Sequence, residues 1–131
     1  MDVAVTIALP TADRRVAFDF CSTGLGLVAV GPPGDDGLPE PLQFVLGADT
    51  RLMLIPRGGF GWVSADHDVA GPGQSECILT LLVATPAEVD AATDRARGAG
   101  ATVKVEPSDP GWGYGSTFTD PDGHLWSVRV G

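Results

Sequence analysis

Gly111-Trp-Gly-Tyr-Gly-Ser-Thr-Phe-Thr-Asp-Pro-Asp-Gly-His-Leu-Trp-Ser-Val-Arg-Val130 is the stretch that decides the fold. It reads as two strands, Tyr114–Thr119 and His124–Val130, joined by a tight turn at Asp120-Pro121-Asp122-Gly123. Proline presets one turn dihedral, aspartate bonds to nearby backbone, and glycine takes the positive φ that ends such turns. The flanks are rich in Thr, Val and aromatic residues, as strands are.

Working outward, the chain resembles itself. Val5-Thr-Ile-Ala-Leu9 lies over Leu79-Thr-Leu-Leu-Val83 at an offset of 74 residues. At the same offset Thr11 lies over Thr85, Ala17 over Ala91, and Gly24 and Gly26 over Gly98 and Gly100. Each copy reads strand, helix, glycine stop, strand, and such a repeat dictates architecture. In the second copy Thr85 is an N-cap, Pro86 sits at the first helical position, and Glu88 completes a capping box. Val89, Ala92 and Ala96 form its apolar stripe, and Gly98 and Gly100 end it. In the first copy Thr11 or Asp13 starts the helix, Val16, Ala17 and Phe20 form the stripe, and Gly24 stops it.

Further strands are expected at Leu25–Val30, Leu42–Leu46 and Arg51–Ile55, and again at Thr102–Val105 and the two terminal strands. The pattern is βαβββ twice in one α+β domain spanning residues 1–131. Module 1 covers about 1–58, a linker loop about 59–76, and module 2 about 77–131.

This arrangement resembles the vicinal-oxygen-chelate superfamily of glyoxalase I, bleomycin-resistance proteins and extradiol dioxygenases. The residues that carry the likeness are Leu9-Pro-Thr-Ala-Asp13 with Val16-Ala-Phe18 and Gly24-Leu-Gly26. A second set is Thr85-Pro-Ala-Glu-Val-Asp90 with Gly98-Ala-Gly100, and the third and most specific is Phe118-Thr-Asp-Pro-Asp-Gly-His-Leu-Trp126. One departure is Asp19, where that family often has Tyr. The resemblance implies two modules forming a curved mixed sheet around a cavity, with helices outside, and a homodimer.

Composition bounds the function. With 17 acidic against 8 basic residues the net charge is -9, which argues against binding a phosphate backbone. It permits a cationic partner, although a solvated acidic surface is the plainer explanation. Two cysteines make no disulfide framework, and Cys21 and Cys77 read as small buried thiols. Met1-Asp-Val-Ala leads straight into a strand without a signal-peptide pattern, and no apolar run reaches the roughly 18 residues of a membrane helix. The expected location is the cytoplasm.

In metalloenzymes of the family, His and Glu on the inner faces of the first and last strands of each module hold a divalent ion. Carried over here, those positions fall on Thr6, on Ile78 or Thr80, and on Ser127. The strand Arg51-Leu-Met-Leu-Ile-Pro56 has no His, Glu, Asp or Cys. Hydroxyls are poor ligands without stronger company, so no metal and no cofactor is expected. Asp66, His67, Asp68 and Glu76 share one loop rather than facing strands, and the likeness makes His124 structural. No nucleophile–base pair or phosphate loop is recognisable.

Strand alternation places Val3, Val5, Ile7 and Leu9 against the helices, and Ala4, Thr6 and Ala8 on the inner face. It puts Leu79, Leu81, Val83, Trp126, Val128 and Val130 outward, and Ile78, Thr80, Leu82, Leu125, Ser127 and Arg129 inward. Phe60-Gly-Trp62 and Trp112-Gly-Tyr114 are both aromatic-Gly-aromatic, in loops that the family places at the cavity mouth. Paired rings can flank a flat ligand, although they can equally close a core. Phe18, Phe20 and Phe44 are core by default. The candidate ligand-binding set is Thr6, Phe44, Met53, Phe60, Trp62, Thr80, Trp112, Tyr114 and Ser127.

The expected function is metal-free sequestration of an aromatic or amphipathic small molecule, as in antibiotic self-resistance. The alternatives are a glyoxalase- or dioxygenase-like enzyme and a metal-free natural-product tailoring enzyme. Enzymatic activity is not required by anything in the sequence. No nucleic acid and no membrane partner is expected.

Overall fold

A computed structural model describes residues 2–131. Two compact units emerge: residues up to Ser22 with Gly26–Asp68, and Thr23–Leu25 with Val69–Gly131. Their sheets are two separate four-stranded mixed sheets with the same order of strands, which makes the fold α+β as the repeat demands.

The first unit contains β1 (Val5–Thr11), α1 (Arg14–Asp19), β2 (Val28–Ala29), β3 (Leu42–Gly47), β4 (Thr50–Pro56) and α2 (Arg57–Val63). Its sheet runs β1-β4-β3-β2, with β1 and β4 parallel and the other pairs antiparallel. Asp13 starts α1: its carboxylate accepts the Arg15 and Val16 N–H groups at 2.9 and 3.1 Å. The helix then widens into a single π-helical turn, Phe20–Gly24, which buries Phe20 and Cys21. The core is Ala17 and Phe20 with Leu42, Phe44, Leu52 and Leu54.

The second unit contains β5 (Ile78–Val83), α3 (Pro86–Gly98), β6 (Thr102–Ser108), β7 (Gly115–Thr119) and β8 (Leu125–Val130). Its sheet runs β5-β8-β7-β6, with β5 and β8 parallel. Residues 23–25 belong here, and Arg95 Nε donates to the Gly24 carbonyl at 3.2 Å. The Thr85 hydroxyl accepts the Glu88 N–H, as expected of an N-cap. Glu88 reaches back to the Ala84 N–H at 2.8 Å, one residue beyond the usual capping-box partner. Val89, Thr93 and Ala96 of α3 are buried, as are Phe118, Trp126 and Val128 of the sheet. Thr93 donates to the Val89 carbonyl at 2.7 Å, so the 2.6 Å contact between the Thr93 and Ser116 hydroxyls has Ser116 as donor. In the terminal turn Asp120 Oδ1 accepts the Asp122 and His124 N–H groups, and Oδ2 accepts Trp126 Nε1–H at 3.1 Å.

Several expectations need correction. The region from 59 onward is not all loop, because α2 occupies Arg57–Val63. Gly58, Gly59 and Gly61 each disfavour helix by about 1 kcal/mol, yet packing against β1 and β4 outweighs them. The strand at 25–30 shrinks to Val28–Ala29, because Gly26 and Gly31 take φ of +69° and +90°. The strand at 102 extends to Ser108 through Pro107, which an edge strand with two register shifts tolerates. Val3 and Val5 are exposed rather than packed on a helix, since α1 has only six residues, about 9 Å of helix. Cys77 is exposed, lying just ahead of β5.

Candidate functional site

In each unit one sheet face is packed by a helix and the other stays open within that unit. Register reads off the open faces row by row. In the first unit Thr6, Arg51, Val45 and Val28 form one cross-strand row, and Ala8, Met53 and Gln43 the next. In the second unit the rows are Ile78-Leu125-Thr119-Thr102, Thr80-Ser127-Thr117-Val105, and Leu82-Arg129-Gly115-Ser108.

These rows answer the metal question on chemistry. Of the two positions left open by the resemblance, Thr80 stands directly opposite Ser127, whereas Ile78 stands opposite Leu125. The corresponding pair in the first unit is Thr6 opposite Arg51. Neither pair fits a divalent cation: in the second unit it offers two neutral hydroxyls, which are weak ligands, and in the first a hydroxyl beside Arg51, which is itself a cation. The Ser127 hydroxyl is also engaged, donating to the Ser116 carbonyl at 2.9 Å, and the residue is only 3% exposed. Asp120, Asp122 and His124 form the one cluster of metal-ligating type among the described residues. Their geometry is that of the turn, with Asp120 committed to three N–H donors. Burial pushes the Asp120 carboxyl above the ordinary aspartate range, against the pull of the Trp126 N–H.

The other candidates divide. Thr6 and Met53 share the open face of the first unit. Phe60 is half-buried on α2, and Trp62 on the same helix is 90% exposed. Phe44 leaves the set. It pairs with Leu52 on the opposite face, is 0% exposed, and packs against the Phe18 ring at 5.9 Å. Tyr114 leaves it too, because alternation turns it away from Gly115. Its hydroxyl donates to Asp90 on α3 at 2.6 Å, and that bond raises its pKa. Trp112 stays, 73% exposed. Asp109 Oδ1 holds its loop by accepting the Gly111 and Gly113 N–H groups at 2.8 and 3.2 Å.

Sequence reading undervalued Arg129, although alternation had placed it inward. Its stem crosses Gly115, where an added Cβ would lie 2.5 Å from Arg129 Cγ and 2.7 Å from the Val128 carbonyl oxygen. Glycine is therefore required there for close approach rather than for a turn. Its guanidinium donates to the Gly113 carbonyl over a long 3.4 Å. The signal available was the Trp-Gly-Tyr-Gly pattern opposite an inward arginine.

Comparison with known proteins agrees with this geometry. The family model of the Glyoxalase/Bleomycin resistance protein/Dioxygenase superfamily matches residues 4–128. No curated protein gives a significant match. Among solved structures, the hypothetical protein SA1046 from S. aureus is 25% identical with a TM-score of 0.81, covering 99% of this chain and 93% of that one. A glyoxalase-related enzyme from Fulvimarina pelagi is 23% identical with a TM-score of 0.82, covering 99% and 88%. TnmS3, an antibiotic binding protein from Streptomyces sp. CB03234, is 26% identical with a TM-score of 0.64, covering 99% and 96%.

Proposed function

This chain belongs to the Glyoxalase/Bleomycin resistance protein/Dioxygenase superfamily, and we propose that it captures an aromatic or amphipathic small molecule without a metal and without turnover, protecting its cell by sequestration. The observation that carries the reading is that the positions to which the resemblance assigns metal ligands hold Thr6 in the first unit and Ser127, with Ile78 or Thr80, in the second, none of them a carboxylate, imidazole or thiolate. Thr6 and Arg51 in the first unit and Thr80 in the second are exposed and can line a binding surface there, and neither unit's pair can assemble a Lewis-acid centre. The presentation of Trp112 on a tied loop supports aromatic capture. So does the likeness to an antibiotic binding protein at 26% identity. Among the described residues no helix is long and apolar enough to cross a membrane. We place the protein in the cytoplasm as a homodimer, and native mass spectrometry tests the latter.

Titration with N-phenyl-1-naphthylamine, a neutral aromatic dye, tests the capture reading. Saturable quenching of tryptophan emission is expected, with the dye recovered unchanged. Trp112→Ala weakens binding about tenfold, or about 1.4 kcal/mol, while the unfolding midpoint stays put. Unchanged affinity would remove Trp112 from the site. A stoichiometric divalent ion with chelator-sensitive turnover would contradict the whole reading.

A further inference from the structure

We propose that the open face of the second unit takes an organic anion: a planar aromatic bearing a carboxylate, sulfonate or phenolate, met by Arg129 beside Trp112. This rests on the aromatic-capture reading and adds the charge of the ligand.

The charge pattern carries the argument. The chain has 17 acidic and 8 basic residues, yet the three rows of this face contain neither Asp nor Glu. Their one charged side chain is Arg129. The nearby acids are committed elsewhere. Asp90 accepts the Tyr114 hydroxyl, Glu106 pairs with Arg97 of α3, and Asp109 is bonded to backbone. Among the described residues Arg129 has no carboxylate partner, and one long bond to Gly113 uses a single donor of its five.

The arginine is also positioned. Gly115 leaves room for its stem to lie across β7, since any Cβ there would strike Arg129 Cγ and the Val128 carbonyl. The guanidinium reaches Gly113, the residue after Trp112. Gly111 and Gly113, at φ of +122° and +116°, set the path of that loop. A flat anion could therefore stack on the indole while its acidic group accepts two parallel N–H bonds from the guanidinium. The net charge of -9 would disfavour anions at long range, so selectivity has to come from this local pairing.

The test uses the full chain and two dyes with the same rings: 1-anilinonaphthalene-8-sulfonate and the uncharged N-phenyl-1-naphthylamine. The sulfonate is expected to bind at least about tenfold more tightly, one per chain, with the preference narrowing as salt rises. Arg129→Gln abolishes the preference and leaves the neutral dye within about twofold, whereas Arg129→Lys keeps part of it. Trp112→Ala weakens both dyes. Cooperative unfolding of each variant confirms that it is folded. If the neutral dye binds and the sulfonate is not preferred, or the preference survives Arg129→Gln, the anion proposal fails and aromatic capture stands. If neither dye binds, and Trp112→Asp splits a dimer, the face belongs to a second copy of the chain and both readings fail.

Discussion

The first module covers its sheet with a six-residue helix that runs into a π-helical turn, whereas the second uses thirteen residues capped at Thr85 and ended at Gly98. The first sheet has a two-residue edge strand and the second a seven-residue one. Strand order is nevertheless the same in both. The topology is therefore set by the parallel pairing of first and last strands, and the helix needs only to bury one face. The modules differ again in what they hold inside. The seam of the first is apolar around Phe44. That of the second includes the Thr93–Ser116 hydroxyl pair and a tryptophan tied to Asp120.

The largest effect separates those two cores. Trp126→Ala removes a fully buried ring and the donor to Asp120, and is expected to destabilise by about 3–5 kcal/mol. Phe44→Leu leaves no polar group without a partner and should lower stability by about 1–2 kcal/mol. Urea unfolding measures both. Equal losses would contradict the greater cost assigned to emptying the tryptophan site.

A smaller effect separates two strand glycines. Gly115→Ala collides with Arg129 and with the Val128 carbonyl, and should cost about 1–3 kcal/mol. Gly47→Ala meets nothing within 4 Å, and its change should stay within about 0.5 kcal/mol. A neutral Gly115→Ala would show that the arginine stem does not need that space.

Much of this was legible in the sequence. The repeat, the Thr85 cap and the Asp-Pro-Asp-Gly turn have local causes, so local reading found them. The helix at Arg57–Val63 was not legible, because its three glycines argue against the state that neighbouring strands impose. Alternation placed Thr80 and Ser127 on one face correctly, but only the register shows them opposed. Phe44 and Tyr114 joined the site on aromatic character, and each is turned to the helix side by the same alternation. Arg129 gains its importance from Gly115 on the neighbouring strand, a contact that sequence distance conceals.

The smallest effect is a contrast in pH dependence. In the first module the Leu38 N–H and then Arg14 hold the Asp36 carboxyl below its ordinary value. Its contribution to stability is present above the unfolded value and is lost as pH falls through the lowered one. In the second module burial raises Asp120, so its contribution is complete below the unfolded value and is lost as pH rises through the raised one. Asp36→Asn should therefore reduce the loss of stability on acidification, and Asp120→Asn should reduce the loss that sets in as pH rises above the ordinary aspartate value. Denaturant midpoints across a pH series measure the two slopes, and slopes of the same sign would contradict the assignment.

The central claim is that this chain captures aromatics without a metal. Native mass spectrometry of the purified protein with N-phenyl-1-naphthylamine tests it most directly. The account predicts a mass shift of one dye per site with no divalent ion. A stoichiometric divalent ion retained on the protein, with no dye adduct, would contradict it.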